Sequence, residues 1–239
     1  MKKTVVVILI VLLFISGVCV SLFYDGFLRM NYPSHEEFPV QGIDISHYQK
    51  NINWEKLKSE GMTFVFMKAT EGGDFVDADF RKNWEQAKKS GYVVGAYHFY
   101  NVCKTGAEQF ANFKKNVPNE KGTLPPTIDL EFSGNCQGKT KNEILNEIGV
   151  LIDSIKAGYG QIPILYTTKG FYDVYLKGKF LECRVWIRDI VGRPKLSDNR
   201  KWFFWQFANR GNLEGVDGFV DLNAFNGTPE MFEKLLKQQ

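Results

Sequence analysis

Apolar residues recur along this chain with two periods, and the changes between them set out its elements. Runs over 40–46, 63–69, 92–100 and 162–167 are apolar and strand-like, and polar residues gather at their carboxyl ends. A further strand runs through Leu124-Pro125-Pro126-Thr127-Ile128-Asp129-Leu130-Glu131-Phe132. Between these runs the apolar positions return at helical spacing. One such helix begins at 53–57 and is stopped by Gly61, and another spans 80–90, with Trp84 and Ala87 on one face and Gly91 as its cap. Two more cover 105–116 and 141–157. Strand followed by helix, repeated with short loops, predicts a parallel sheet. The last third differs: 184–187, 202–207 and 218–223 read as strands without long helices between them, and an amphipathic helix follows over 229–237. Eight strands, five with helical crossovers and three with loops, predict an α/β barrel with an incomplete outer ring.

At 239 residues and 44% hydrophobic, the chain can bury one substantial core, and a barrel of this length is ordinarily one domain. The net charge of +3 comes from interspersed Lys and Glu rather than a basic block, so nucleic acid is not an expected partner. Twenty Phe, ten Tyr and five Trp suit a groove that stacks on flat apolar faces, although aromatics also fill cores.

The amino terminus adds a second unit. Met1-Lys2-Lys3 is basic, and an almost unbroken apolar run continues from Val5 to Phe23, long enough to span a bilayer as one helix. Ser16-Gly17-Val18-Cys19-Val20 offers no clean small-x-small cleavage site. Residues 1–24 therefore read as a signal anchor contacting the membrane through 4–24, with a cleaved signal peptide as the alternative. Lys2 and Lys3 keep the start in the cytoplasm. Residues 25–39 read as a linker, and 40–239 as a domain working outside the membrane, at the cell surface or in the periplasm, or secreted if the signal is cleaved. Cys103 and Cys136 follow strands expected to be neighbours, so a disulfide between them and two free thiols both stand as readings. Cys183 has no evident partner. No Cys-x-x-Cys or His-x-x-x-His spacing suggests a metal, and no cofactor is expected.

Chemistry concentrates at the strand ends. Asp129 and Glu131 are separated by one residue on a strand, so both point to one face and Leu130 to the other. Like charges that close, partly buried, raise each other's proton affinity, so one stays protonated while the other is ionised. That division suits glycoside hydrolysis, while Asp-x-Glu alone also occurs as a solvated strand end. The other carboxyl ends carry Asp44, Glu71, His98, Tyr166, Gln206 and Asp221, and barrel enzymes build their sites at that rim. Glu71, before two glycines, also reads as a structural acceptor, and His98 as a satisfied wall residue. Trp186 and Trp205 divide between core and sugar platform.

These residues carry a resemblance. Gly42-Ile43-Asp44-Ile45-Ser46, Lys68-Ala69-Thr70-Glu71-Gly72, Gly95-Ala96-Tyr97-His98-Phe99 and Asp129-Leu130-Glu131 resemble the motifs of family 25 glycoside hydrolases, the muramidases often called lysozymes. Trp205-Gln206 and Val220-Asp221-Leu222-Asn223 extend the match towards the carboxyl end. The resemblance implies a modified TIM-like barrel of five β/α units plus three strands, (β/α)5(β)3. It also implies cleavage of the β-1,4 bond between N-acetylmuramic acid and N-acetylglucosamine in peptidoglycan, by a chain expected to be monomeric. Carried over, Glu131 is the catalytic acid and Asp129 its anionic partner, and Asp44 and Asp221 are two further acids. Tyr97, Tyr166 and Gln206 line the sugar cleft, and His98, Trp186 and Glu71 are further candidates for substrate contact. Trp186-Ile187-Arg188-Asp189 departs from the family's aromatic-ended pattern, which bears on the outer subsites.

Overall fold

Strand alternation sorts this chain's side chains into two cores, one inside a ring of strands and one outside it. The computed structural model describes residues 2–24, 28, 31–132 and 138–237. The helix α1 (Lys2–Tyr24) comes first, then β1 (Gln41–Ile45), α2 (Trp54–Leu57), β2 (Met62–Glu71) and a short β3 (Phe75–Val76). Next are α3 (Phe80–Lys89), β4 (Val93–Phe99), α4 (Gly106–Asn116), β5 (Thr127–Leu130) and α5 (Lys141–Tyr159). The chain continues through β6 (Ile164–Thr168), α6 (Lys169–Phe171), β7 (Arg184–Arg188), β8 (Phe204–Gly211), β9 (Val220–Phe225) and α7 (Pro229–Lys237).

Among the described residues nine strands share one sheet, and all but β3 close into a ring, because β1 pairs with both β2 and β9. Pairing is parallel from β1 round to β8. β9 runs against both its neighbours, which the expectation of a parallel sheet did not include. β8 is longer than expected because its far end pairs with β9 beyond Gln206, as an antiparallel hairpin allows.

Phe64, Phe66, Ile164, Tyr166, Trp186, Phe204 and Phe225 point into the ring. Their neighbours Val65, Met67, Leu165, Val185, Ile187 and Ala224 point outwards against the helices. Phe66 and Trp186 stack at 4.4 Å, and Phe232 and Leu235 of α7 join the inner cluster, closing the foot of the barrel. Two glycines make room for this filling. A Cβ on Gly42 would lie 2.3 Å from the Phe64 carbonyl oxygen, and one on Gly95 would lie 2.7 Å from the Phe66 ring.

Local signals explain the outer helices. Thr105 with Glu108 and Thr140 with Glu143 form capping boxes that start α4 and α5, and Gly160, at φ 69°, ends α5 in the left-handed region. α5 buries Ile144, Ile148, Leu151, Ile152, Ile155 and Tyr159, a single stripe at helical spacing.

Two features lie towards the amino terminus. Lys3–Phe23 is long and apolar enough to cross a membrane, and its apolar stretch is not buried within the described structure. The later part of the expected linker, by contrast, lies against the barrel. Asn31 Nδ2 donates to the carbonyls of Asp189 (3.0 Å) and Gly192 (3.1 Å), and the Tyr32 ring meets Phe207 edge-on at 5.2 Å. Glu37 pairs with Arg193, and buried Phe38 stacks on Trp202 at 6.2 Å. This strap covers the β7–β8 flank, where no helix crosses over.

Candidate active site

Alternation along each strand decides which polar residues reach the hollow at the carboxyl-end rim. Asp44, Lys68, Tyr97, Phe99, Asp129, Glu131, Tyr166, Trp186, Gln206 and Asp221 line a cavity of about 340 Å³, together with residues of the turn after β1. Asp221 reaches it by a route the sequence did not show. It is the second residue of β9, whose reversed direction brings the start of that strand to the rim, directly opposite Asp44.

One hydrogen-bonded network joins Asp44, Asp221 and Glu131. Gln206 Nε2 donates to Asp44 Oδ2 at 2.9 Å and to Asp221 Oδ2 at 3.1 Å. Asn223 Nδ2 donates to the same Asp44 oxygen at 2.7 Å, and Asn223 Oδ1 accepts from Trp186 Nε1 at 2.8 Å. The Tyr166 hydroxyl lies 3.0 Å from Gln206 Oε1 and 3.2 Å from Glu131 Oε1, so its one proton serves either acceptor. Burial, and then the surrounding carboxylates, push the Tyr97 and Tyr166 hydroxyls well above their ordinary range, which keeps both as donors.

The carboxyls differ in their surroundings. Asp44 is pushed up to about 6 by burial, against the lowering effect of the Asn223 and Gln206 amides. Asp221 is raised well above the usual carboxylate range by burial and then by Asp44, with Arg188 opposing. Asp129 is also raised well above it, first by burial, then by Glu131 and Asp44, with Lys68 opposing. Asp129 Oδ1 is buried and has no hydrogen-bond partner among the described residues. Burial therefore favours the proton on Asp129, whereas the sequence led us to expect Asp129 to be the ionised member of its pair. The reason is depth: Asp129 sits within the barrel wall and Glu131 just beyond the end of β5.

Two residues expected to contact substrate do not line the hollow. His98 is fully buried on the outer face of β4, where Nδ1 lies 2.8 Å from Thr70 Oγ1 and Nε2 lies 3.1 Å from Gln109 Oε1. Tyr97 takes the inward position, so alternation turns the next residue away from the cleft. Glu71 does not line the hollow either; it pairs at 2.6 Å with Lys68, whose ammonium lies over the Phe75 and Phe99 rings. Trp186 forms the floor of the hollow, while Trp205 faces outwards and donates to the Asp189 carbonyl. The pairing considered for Cys103 involves Cys136, which lies outside the described residues.

Lys68, Asn223, Tyr48 and Gln49 were not singled out from sequence. Asn223 could have been found by stepping two residues from Asp221 along one strand face. Tyr48 and Gln49 lie in a loop turn, where no periodicity points inwards.

Comparison with known proteins places this constellation. The model of glycosyl hydrolases family 25 matches residues 43–216. Lysozyme M1 of Streptomyces globisporus is 33% identical over 201 residues, covering 79% of this chain and 68% of that protein. The uncharacterized protein YegX of Escherichia coli K12 is 33% identical over 198 residues, covering 81% of this chain and 72% of that one. Among solved structures, a family 25 glycosyl hydrolase from Bacillus anthracis superposes with a TM-score of 0.81 at 40% identity, covering 86% of this chain and 97% of that one. A bacterial lysozyme from Streptomyces coelicolor gives a TM-score of 0.75 at 32% identity, covering 82% and 96%. With the acids gathered in one hollow and the whole barrel shared with these enzymes, the chain belongs to the family 25 glycosyl hydrolases and is a glycoside hydrolase.

Proposed function

We propose that this protein is a peptidoglycan muramidase, cleaving the β-1,4 bond between N-acetylmuramic acid and N-acetylglucosamine. The observation that carries the reading is the gathering of Asp44, Asp129, Glu131 and Asp221 from distant segments into one hollow. Membership of a family that includes lysozymes and muramidases supports peptidoglycan as the substrate.

In this proposal Glu131, on the accessible edge of the hollow, gives its proton to the glycosidic oxygen as the bond to the anomeric carbon breaks. The 2-acetamido oxygen of the muramic acid attacks that carbon from the opposite face and forms a cyclic intermediate. Asp129 accepts a hydrogen bond from the acetamido N–H, which its unpartnered oxygen is free to do. That bond favours the carboxylate as the substrate enters, its proton passing to Glu131, and Lys68 acts in the same direction. Water then opens the intermediate and returns a proton to Glu131, so configuration is retained. Asp44 and Asp221, tied together through Gln206, form one wall of the hollow.

Glu131→Gln tests the reading. Turnover of purified peptidoglycan should fall on the order of 10²–10⁴-fold with the fold unchanged, as for a lost general acid. Near-normal turnover would remove Glu131 from the role. Reducing-end analysis identifies the bond, because new muramic acid ends are expected and new glucosamine ends would mean a different cut. An inverted product anomer would replace the acetamido route with a water activated by Asp44 or Asp221.

The apolar helix α1 supports a signal anchor that holds the hydrolase on the outer side of the membrane. Mass spectrometry of the mature amino terminus tests this, since loss of residues 1–24 would make the protein secreted.

A further inference from the structure

Asp77 is a buried carboxylate, 3% exposed, that does not line the hollow. It is held by N–H donors alone. Its Oδ2 accepts from the His47 backbone N–H at 2.9 Å and from His47 Nδ1 at 2.8 Å, and its Oδ1 accepts from the Asp79 N–H at 3.0 Å. Two bonds to one residue fix both the backbone and the ring plane of His47. That ring backs the ring of Tyr48, with centroids 4.3 Å apart and planes tilted by 34°. The turn carrying Tyr48 is itself locked, because Ser46 and Gln49 form a reciprocal capping box.

The ring supported in this way is 76% exposed and lines the hollow. It stands at the exit of β1, three strands round the ring from β5, across the mouth from Glu131. A large aromatic that is exposed, yet held from behind and below, offers a rigid face on which the apolar C–H face of a pyranose can stack at low entropy cost.

From this geometry we propose that Tyr48 is a substrate-binding platform for a hexosamine ring of the glycan strand beside the scissile bond, with His47 and Asp77 as its positioning residues. The proposal rests on the hydrolase reading and adds a subsite to it. The ring face, rather than the hydroxyl, makes the contact.

Steady-state kinetics on soluble, uncross-linked glycan strands test it. Tyr48→Ala should raise KM about tenfold, the scale of a lost aromatic contact, while kcat falls less than about threefold. Tyr48→Phe and Tyr48→Trp should stay within about twofold of the parent in KM, and His47→Ala should fall between the parent and Tyr48→Ala. An unchanged KM in Tyr48→Ala would overturn the proposal, and so would a Tyr48→Phe variant as impaired as Tyr48→Ala. A parent enzyme that releases no new reducing ends would instead overturn the hydrolase reading, so the two failures are separable.

Discussion

Asp44 on β1 and Asp221 on β9 face each other across an antiparallel strand pair, and one side chain, Gln206, donates to both. The same Gln206 also accepts from Tyr166, which reaches Glu131. A neutral amide thus connects Asp44, Asp221 and, through Tyr166, Glu131, and its removal tests how far these three acids depend on it.

Gln206→Leu fills a similar volume but supplies neither donor nor acceptor. Asp221 loses its amide partner and Asp44 keeps only that of Asn223. The expected cost is about 1–3 kcal/mol of stability for buried groups left unserved. Activity per folded molecule should fall at least about tenfold, because the acids lose their common anchor. Urea denaturation and turnover of peptidoglycan measure the two effects separately.

Asp129→Asn should exchange activity for stability. The folded-state proton affinity of Asp129 is raised, so the native protein holds a proton that the unfolded chain has released above its ordinary value near 3.8. Native stability is therefore lost as pH rises above that value. Asp44 has the same sign over the window from 3.8 to about 6, a difference on the order of 3 kcal/mol. The substituted amide carries no charge, so the variant should gain on the parent in urea midpoint as pH rises above about 4, while its turnover is severely reduced. An unchanged stability difference as pH rises would refute the burial argument for Asp129.

His98 has the opposite sign. Burial lowers it to about 4, so between its ordinary value of 6.5 and about 4 the unfolded chain takes up a proton that the native one refuses, and stability is lost as pH falls. His98→Leu should abolish that dependence. At neutral pH it should cost about 2–4 kcal/mol, since Thr70 and Gln109 both lose a partner. If His98 is only part of the wall, KM for glycan strands stays at the parent value; a raised KM would return it to the cleft.

Phe38→Ala examines the strap. The ring is 3% exposed and packs on Trp202 and Trp205, so its loss should cost about 3–5 kcal/mol. A chain beginning at residue 40 should melt below one beginning at residue 31. Equal melting temperatures would mean that 31–39 is a passive tether after all.

The elements themselves were legible from local pattern. The capping boxes at Thr105 and Thr140, the glycine stops and the period-two strands lie within a few residues of each other, and α4, α5 and α7 fall close to where periodicity puts them. The strand carrying Asp129 and Glu131, and the shared face of that pair, needed only the two-residue repeat. Strand alternation also held the information that separates Tyr97 from His98, although it could not say which face was the lumen.

By itself, then, the sequence determined what is set by neighbours along the chain: helix, strand and the order of the polar strand ends, together with the apolar segment at the start. Tertiary structure decided what depends on which strand lies beside which. It reversed β9, so that Asp221 meets Asp44 from the strand's beginning. It placed Asn223 against Asp44, laid residues 31–38 on a bare flank, and buried Asp129 more deeply than Glu131. Proton affinity follows desolvation and nearby charge, and both are properties of the closed ring that no single segment contains.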